Sequence, residues 1–205
     1  MSTFQAASPV DIALIEQVVQ GNEPAFETLL DQFQHKVYRT AFGMMGNAED
    51  ANDVTQEVFI KVFRKIHQLK EPAVFSSWLY RMTLNTAKTA LMRRKIRSCL
   101  SLDLFSEPQT EIEEPQIDPL DRDVEFAPLN QALQKLDRAS REILVLREIN
   151  DFSYEELSAT LGCAIGTVKS RLNRAKAKLK ALLLSLQEGD SHVDLISDTI
   201  SAPLA

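Results

Sequence analysis

The chain is expected to be all-α, with two small helical domains joined by an acidic flexible linker and a C-terminal helix-turn-helix. Three observations predict this. Apolar residues recur at three- and four-residue intervals through most of the 205 residues. Only six glycines interrupt them, and β-branched residues are scattered rather than gathered into runs. Between residues 98 and 125, nine acids and three prolines accompany a single Lys/Arg, a composition that buries too little apolar surface to fold.

The charge distribution sharpens the division. The net charge of -6 is misleading, because the acidity is local. Residues 1–97 carry twelve Lys/Arg against ten Asp/Glu, and residues 126–187 carry ten against six. The linker, and a tail with four acids and no Lys or Arg, hold the excess negative charge. The expected units are therefore a helical domain at 10–97, the linker at 98–125, a second domain at 126–187 and an acidic mobile tail at 188–205. The N-terminus lacks the basic, apolar and small-residue succession of a signal peptide, and no run of about eighteen apolar residues occurs. A cytoplasmic location is expected, with no membrane insertion. Cys99 and Cys163 have no CxxC partner and no nearby His, so reduced thiols are expected rather than zinc, with redox activity of either left open. His35, His67 and His192 lie far apart, and no nucleophile-base pair, phosphate loop or metal spacing is present. No enzyme activity, cofactor or small-molecule substrate is expected.

Taken in order, residues 1–9 read as a loose leader. Ile12, Ile15, Val18 and Val19 mark a helix, and Gly21-Asn22-Glu23-Pro24 stops it and opens the next, with Pro24 near a first turn. Phe26, Leu29, Leu30, Phe33, Val37 and Phe42 line that second helix until Gly43 to Asn47 breaks it. The third helix begins with acids in its first turn, where the helix dipole favours them. Val54, Val58, Phe59, Val62, Phe63 and Ile66 supply its buried stripe, and Asp50, Asp53, Gln56 and Glu57 make a polar, mostly acidic one. Such a stripe is ordinarily solvated; next to an aromatic and basic helix, it reads as a docking face for a basic protein surface. That neighbouring helix is long. After a loop at Lys70-Glu71-Pro72, it runs from Phe75 into Arg93-Arg94-Lys95-Ile96-Arg97. Its aromatic start and basic end suit single-stranded DNA, where bases stack on rings and phosphates meet cations. Leu79 and Leu84 read as core, Trp78 fits either class, and Asn85 can read a Watson-Crick edge.

Beyond the linker, Leu129, Leu133 and Leu136 open the second domain. Ser140-Arg141-Glu142 precedes a helix from Ile143 to Glu148. Ser153 and Glu156 stand at capping-box spacing, Leu157 and Leu161 share one face, and Gly162 supplies the turn. The last helix buries Val168, Leu172, Ala175, Leu179 and Leu182. Lys169, Arg171, Arg174, Lys176, Lys178 and Lys180 occupy its remaining faces with no acid among them. Solvent-facing helices ordinarily mix signs to gain i,i+4 pairs. Six like charges want a polyanion, and DNA is the natural one.

These residues carry a resemblance. Asp50-Ala51-x-Asp53-x-x-Gln56-Glu57-x-Phe59, then Phe75-x-x-Trp78-Leu79-Tyr80-Arg81-x-x-x-Asn85-x-x-Lys88, then Leu136-Asp137-x-x-x-Arg141-Glu142 through Tyr154-x-Glu156-Leu157 to Gly166-Thr167-Val168-Lys169-Ser170-Arg171-Leu172-x-Arg174-Ala175 resemble a group IV, extracytoplasmic-function sigma factor of bacterial RNA polymerase. The likeness covers roughly residues 10–185. It implies a stress-type alternative sigma factor that binds core RNA polymerase through the β′ clamp helices and the β flap, opens promoter DNA, and is held by an anti-sigma factor. Asp50, Asp53, Gln56, Glu57 and Phe59 would contact polymerase. Trp78, Tyr80, Arg81, Asn85, Lys88, Arg93 and Arg94 would contact the minus-ten element. Thr167, Lys169, Ser170, Arg171, Asn173 and Arg174 would contact the minus-thirty-five element. The acidic linker would thread toward the template path, and the tail departs from the family pattern. The alternative is a helix-turn-helix regulator with an N-terminal sensing or dimerisation domain, which leaves the acidic stripe without a purpose.

Overall fold

The computed structural model describes the backbone of residues 11–104 and 123–200 and the side chains of residues 11–97 and 128–186. The leader at 1–9 and linker residues 105–122 lie outside the described residues, as do the side chains of Cys99 and of the tail. The described residues form eight α-helices and no strand. Helices α1 (Ile12–Val19), α2 (Glu23–Met45), α3 (Ala48–Lys65) and α4 (Phe75–Leu104) make the first group. Helices α5 (Asp123–Lys135), α6 (Arg138–Leu144), α7 (Tyr154–Leu161) and α8 (Ile165–Ile200) make the second.

Local chemistry starts and stops these helices. Asp11 caps α1 by accepting from the Ala13 amide at 3.0 Å, and Asn22 caps α2 by accepting from that of Ala25 at 3.1 Å. Gly46, at φ +82°, ends α2 in the left-handed conformation that costs glycine little. The expected break from Gly43 to Asn47 is thus narrower than the sequence suggested, and Gly43 stays helical. Leu29, Phe33, Val37 and Ala41 of α2 pack against Ala51, Val54, Val58 and Val62 of α3 and Phe75, Leu79, Leu84 and Ala87 of α4.

In the second group, α6 begins earlier than expected. Its cap is Asp137, which accepts from the Ser140 amide at 3.2 Å, so Ser140 lies inside the helix rather than before it. Hydrogen bonds from Lys178 and Ser140 hold the Asp137 carboxyl down at about 2. Past Leu144 the chain enters a π turn, Val145–Ile149. The unbroken apolar run Ile143 to Leu146 is fully buried there, because it meets α8 on one side and α2 on the other. Both bonds of the Ser153–Glu156 capping box form, and Gly162 closes α7 at φ +65°.

Two boundaries differ from expectation. α4 runs on to Leu104, seven residues into the expected linker, and α8 runs to Ile200, well into the expected tail. More consequentially, the two groups are not held apart. One buried cluster runs through both, and α7 packs on α4. Asn150 Nδ2 donates to Thr40 Oγ1 at 2.9 Å, and the Tyr80 ring meets Phe152 edge-on at 4.9 Å.

Candidate nucleic-acid interface

The acidic stripe lies on α3 and is only partly free. Asp53 and Gln56 are exposed, and neither makes an ion pair among the described residues. Asp50 accepts from Arg94 at 3.2 Å, while Glu57 holds Lys61 at 2.7 Å and lies 3.8 Å from Arg93. Phe59, expected on the docking face, is 8% exposed and belongs to the core. Its place between Val58 and Val62 holds the stripe's helix against α2 and α4, so direct contact with a partner is corrected to support from beneath. Beyond Gln56 the same exposed face continues into Ile60 and Phe63, the latter edge-to-face with Phe26 at 5.2 Å.

Arg93 and Arg94, expected on DNA phosphates, therefore stand beside the acids of α3. Both are well exposed, and exposed pairs of this kind contribute little stability, so a polyanion can displace them. Trp78 is half-buried against Phe75, with ring centroids 6.1 Å apart. Tyr80 is a correction: it is 4% exposed and packs in the joint with Phe152. Burial raises its pKa far above the ordinary tyrosine value, against an opposing pull from Arg39, so the phenol stays neutral. Arg81 Nε donates to the Thr160 carbonyl at 3.1 Å and Nη2 to that of Ala159, both in the last turn of α7. Those carbonyls lack intrahelical donors and carry the negative end of the helix dipole. Lys88 lies 3.0 Å from Glu142 of α6. Asn85 is exposed and lines a cleft of about 340 Å3 with Arg81, Lys88, Glu142, Thr160 and Arg171.

On α8, Val168, Leu172 and Ala175 are buried, leaving Lys169, Ser170, Asn173 and Arg174 on the open side. Thr167 is half-buried, and its carbonyl accepts from the Ser170 hydroxyl at 3.0 Å. Lys169 and Arg147 sit over the Tyr154 ring at 5.6 and 5.3 Å from its centroid. Arg171 leans toward the cleft, near the Cys163 sulfur. The expectation of six uncompensated cations is corrected. Lys176 pairs with Glu148 at 2.9 Å and Lys178 with Asp137 at 2.5 Å, leaving Lys169, Arg171, Arg174 and Lys180 without an ion pair among the described residues. The unpaired charge concentrates in the first turns of α8, the end a groove-reading helix presents.

Two residues that the sequence placed only within the second-domain motif, with no role of their own, are buried. Arg141, 9% exposed, donates to the carbonyls of Leu133, Met44, Gln134 and Leu136 and to Gln134 Oε1, at 2.6–3.2 Å. Burial draws its pKa below the usual arginine value. Glu142, 7% exposed, bridges Lys88 and Arg138. In the sequence the pair stands between Ser140 and Ile143, and nothing in its spacing marks it as buried.

Known proteins match this arrangement. The sigma-70 region 2 family matches residues 29–96, and the sigma-70 region 4 family matches residues 126–179. The RNA polymerase sigma-H factor of Pseudomonas aeruginosa is 34% identical over 187 residues, covering 87% of this chain and 96% of that protein. The ECF RNA polymerase sigma-E factor of Escherichia coli is 32% identical over 174 residues, covering 81% and 90%. Among solved structures, CnrH in complex with the cytosolic domain of CnrY superposes with a TM-score of 0.66 at 28% identity, covering 86% of this chain and 98% of that one. The sigma factor RpoE of Bartonella quintana, in complex with the anti-sigma factor NepR, gives a TM-score of 0.59 at 28% identity, covering 77% and 96%.

Proposed function

This chain belongs to the extracytoplasmic-function branch of the sigma-70 family and is an alternative sigma factor that initiates transcription; on that premise, we propose how its residues divide the work. Asp53 and Gln56, with Asp50 and Glu57 behind them, seat α3 on the β′ clamp helices of core polymerase. Asn85 receives a flipped base of the minus-ten element, stacked against Trp78, while Arg81, Lys88, Arg93 and Arg94 take the strand's phosphates. Lys169, Ser170, Arg171, Asn173 and Arg174 enter the major groove of the minus-thirty-five element with the second domain held on the β flap. Arg suits bidentate contact with guanine, and Lys suits phosphate.

The observation that carries this reading is the split of α8 into a buried stripe and an open side bearing its unpaired cations. The chain needs no covalent chemistry and no cofactor. Extruding a base costs a few kcal/mol, and stacking at roughly 1–3 kcal/mol per base offsets it. Neither module has cations enough for tight specific binding, so polymerase must hold both at a fixed spacing. An anti-sigma factor is the expected regulator, as the sigma factor RpoE of Bartonella quintana was solved in complex with one. The working location is the cytoplasm, consistent with the lack of any membrane-crossing helix among the described residues. A sensing or dimerising regulator would leave Asp53 and Gln56 without a role.

Two tests arise directly. In holoenzyme, Arg174→Ala and Arg171→Ala are each expected to cost about 1–3 kcal/mol of promoter binding for a direct base contact. Promoter titrations unaltered by both changes would remove α8 from the major groove. Asn85→Ala is expected to leave affinity for core polymerase intact while lowering permanganate reactivity of minus-ten thymines. Undiminished reactivity would remove Asn85 from strand opening.

A further inference from the structure

The cleft of about 340 Å3 has the size of a small-molecule pocket, and its wall is charged. Arg81 and Lys88 of α4 and Arg171 of α8 bring three cations to it, against the single carboxylate of Glu142. Each cation keeps donors in reserve. Arg81 commits Nε and Nη2 to the Thr160 and Ala159 carbonyls, which leaves its Nη1 group. Those two bonds also cover the negative end of the α7 dipole, where it would repel an anion. Lys88 carries three ammonium protons and has Glu142 at 3.0 Å. The Arg171 guanidinium makes no ion pair among the described residues and lies 4.0 Å from the Cys163 sulfur, a weak acceptor.

Thr160 departs from its counterparts. Six threonines of α2, α3 and α4 turn their hydroxyls onto the carbonyl four residues back, at 2.7–3.0 Å. Thr160 has Glu156 of its own helix at that spacing and does not bond to it. It is 3% exposed and borders the cleft, and its hydroxyl has no partner among the described residues. A buried hydroxyl of this kind is one that a water or a ligand normally satisfies. We propose that the cleft is a binding site for a small phosphorylated anion, held by Arg81, Lys88 and Arg171 and accepting from the Thr160 hydroxyl. A phosphoryl group offers three acceptor oxygens and nearly two negative charges, so it answers three cations better than a carboxylate does. Guanidinium meets such oxygens bidentately, and ammonium meets them as a point charge. A pocket of this size holds more than a bare phosphate, and Asn85 offers the rest of the molecule an amide. A ligand there draws on side chains also assigned to promoter DNA. That competition rests on the reading above; the site itself does not.

The full chain is titrated calorimetrically at constant ionic strength with inorganic phosphate, inorganic pyrophosphate, adenosine 5′-monophosphate and adenosine. Thermal unfolding is followed with the same additions. At least one phosphoryl probe is expected to saturate a single site and raise the melting temperature progressively with its concentration, and adenosine to do neither. Tighter binding of phosphate or pyrophosphate marks a site for the free anion, and tighter binding of the nucleotide marks one for a phosphate ester; both support the proposal. Thr160→Val keeps the shape and removes the hydroxyl. It is expected to weaken the tighter probe about tenfold, the usual strength of one hydrogen bond to a charged group. Without ligand it should melt no lower than wild type, because the group it deletes is unpaired. Thr160→Ser should restore most of the affinity. Glu142→Gln removes the cleft's one carboxylate and should tighten binding several-fold. Absence of saturable binding by all three phosphoryl probes overturns the inference, as does equal affinity in wild type and Thr160→Val. If Thr160→Val melts below wild type, Glu142→Gln decides, and an unchanged affinity there overturns it. None of these outcomes bears on the promoter roles, which are decided separately in holoenzyme.

Discussion

Replacing Arg141 with alanine is expected to lower unfolding free energy by about 3–5 kcal/mol, the usual cost of deleting one member of a buried charged network. The cause is arithmetic of donors. One guanidinium satisfies four carbonyls and a side-chain amide oxygen, drawn from α5, the α5–α6 turn and the end of α2. Each acceptor left buried and unpaired costs roughly 1–3 kcal/mol, less whatever water can reach. Lysine should rescue little, because a three-donor point charge cannot reproduce a planar five-donor fork. Thermal and denaturant unfolding of wild type, Arg141→Ala and Arg141→Lys decide it. Equal midpoints for all three would mean that the helix ends around Arg141 need no internal donor.

Asp53→Lys is expected to do the opposite: little to stability, much to assembly. Asp53 is exposed and unpaired among the described residues, so its loss should move the unfolding free energy by less than about 0.5 kcal/mol. Against a basic partner surface, a reversed charge should cost about 2–4 kcal/mol of binding, roughly 30- to 1,000-fold in affinity for core polymerase. Asp53 is the cleaner site, because Glu57 also holds Lys61 and a change there disturbs α3 itself. Titration of labelled core enzyme with both chains is the check, and equal affinities would remove the stripe from the docking surface.

Signals that are local in the chain were legible in the order of the residues alone. The capping box at Ser153 and Glu156 and the left-handed stop at Gly162 depend on residues three to six apart, and both form. The stripe Val168, Leu172, Ala175 is buried as its spacing requires. What could not be read was the identity of the neighbour. Periodicity says that Phe59 and Tyr80 lie on helices, but their burial is fixed by what packs over them, for Tyr80 a loop residue 72 positions away. Asp137 caps α6, three residues before the position where the sequence placed Ser140 ahead of a helix, and it also meets Lys178, a partner 41 positions away. Lys176 and Lys178 looked uncompensated because Glu148 and Asp137 come from outside α8. Arg141 is the extreme case: it is drawn inward because several helix ends point carbonyls at one spot.

The central claim is that two helical modules select promoters only when polymerase holds both at a fixed spacing. Transcription in vitro with core polymerase over a fragmented genomic template, sequencing the 5′ ends made with and without this chain, tests it most directly. The predicted result is a set of new start sites sharing two elements at a fixed separation, lost with Asp53→Lys and weakened with Arg174→Ala. The same start sites with and without the chain would contradict it.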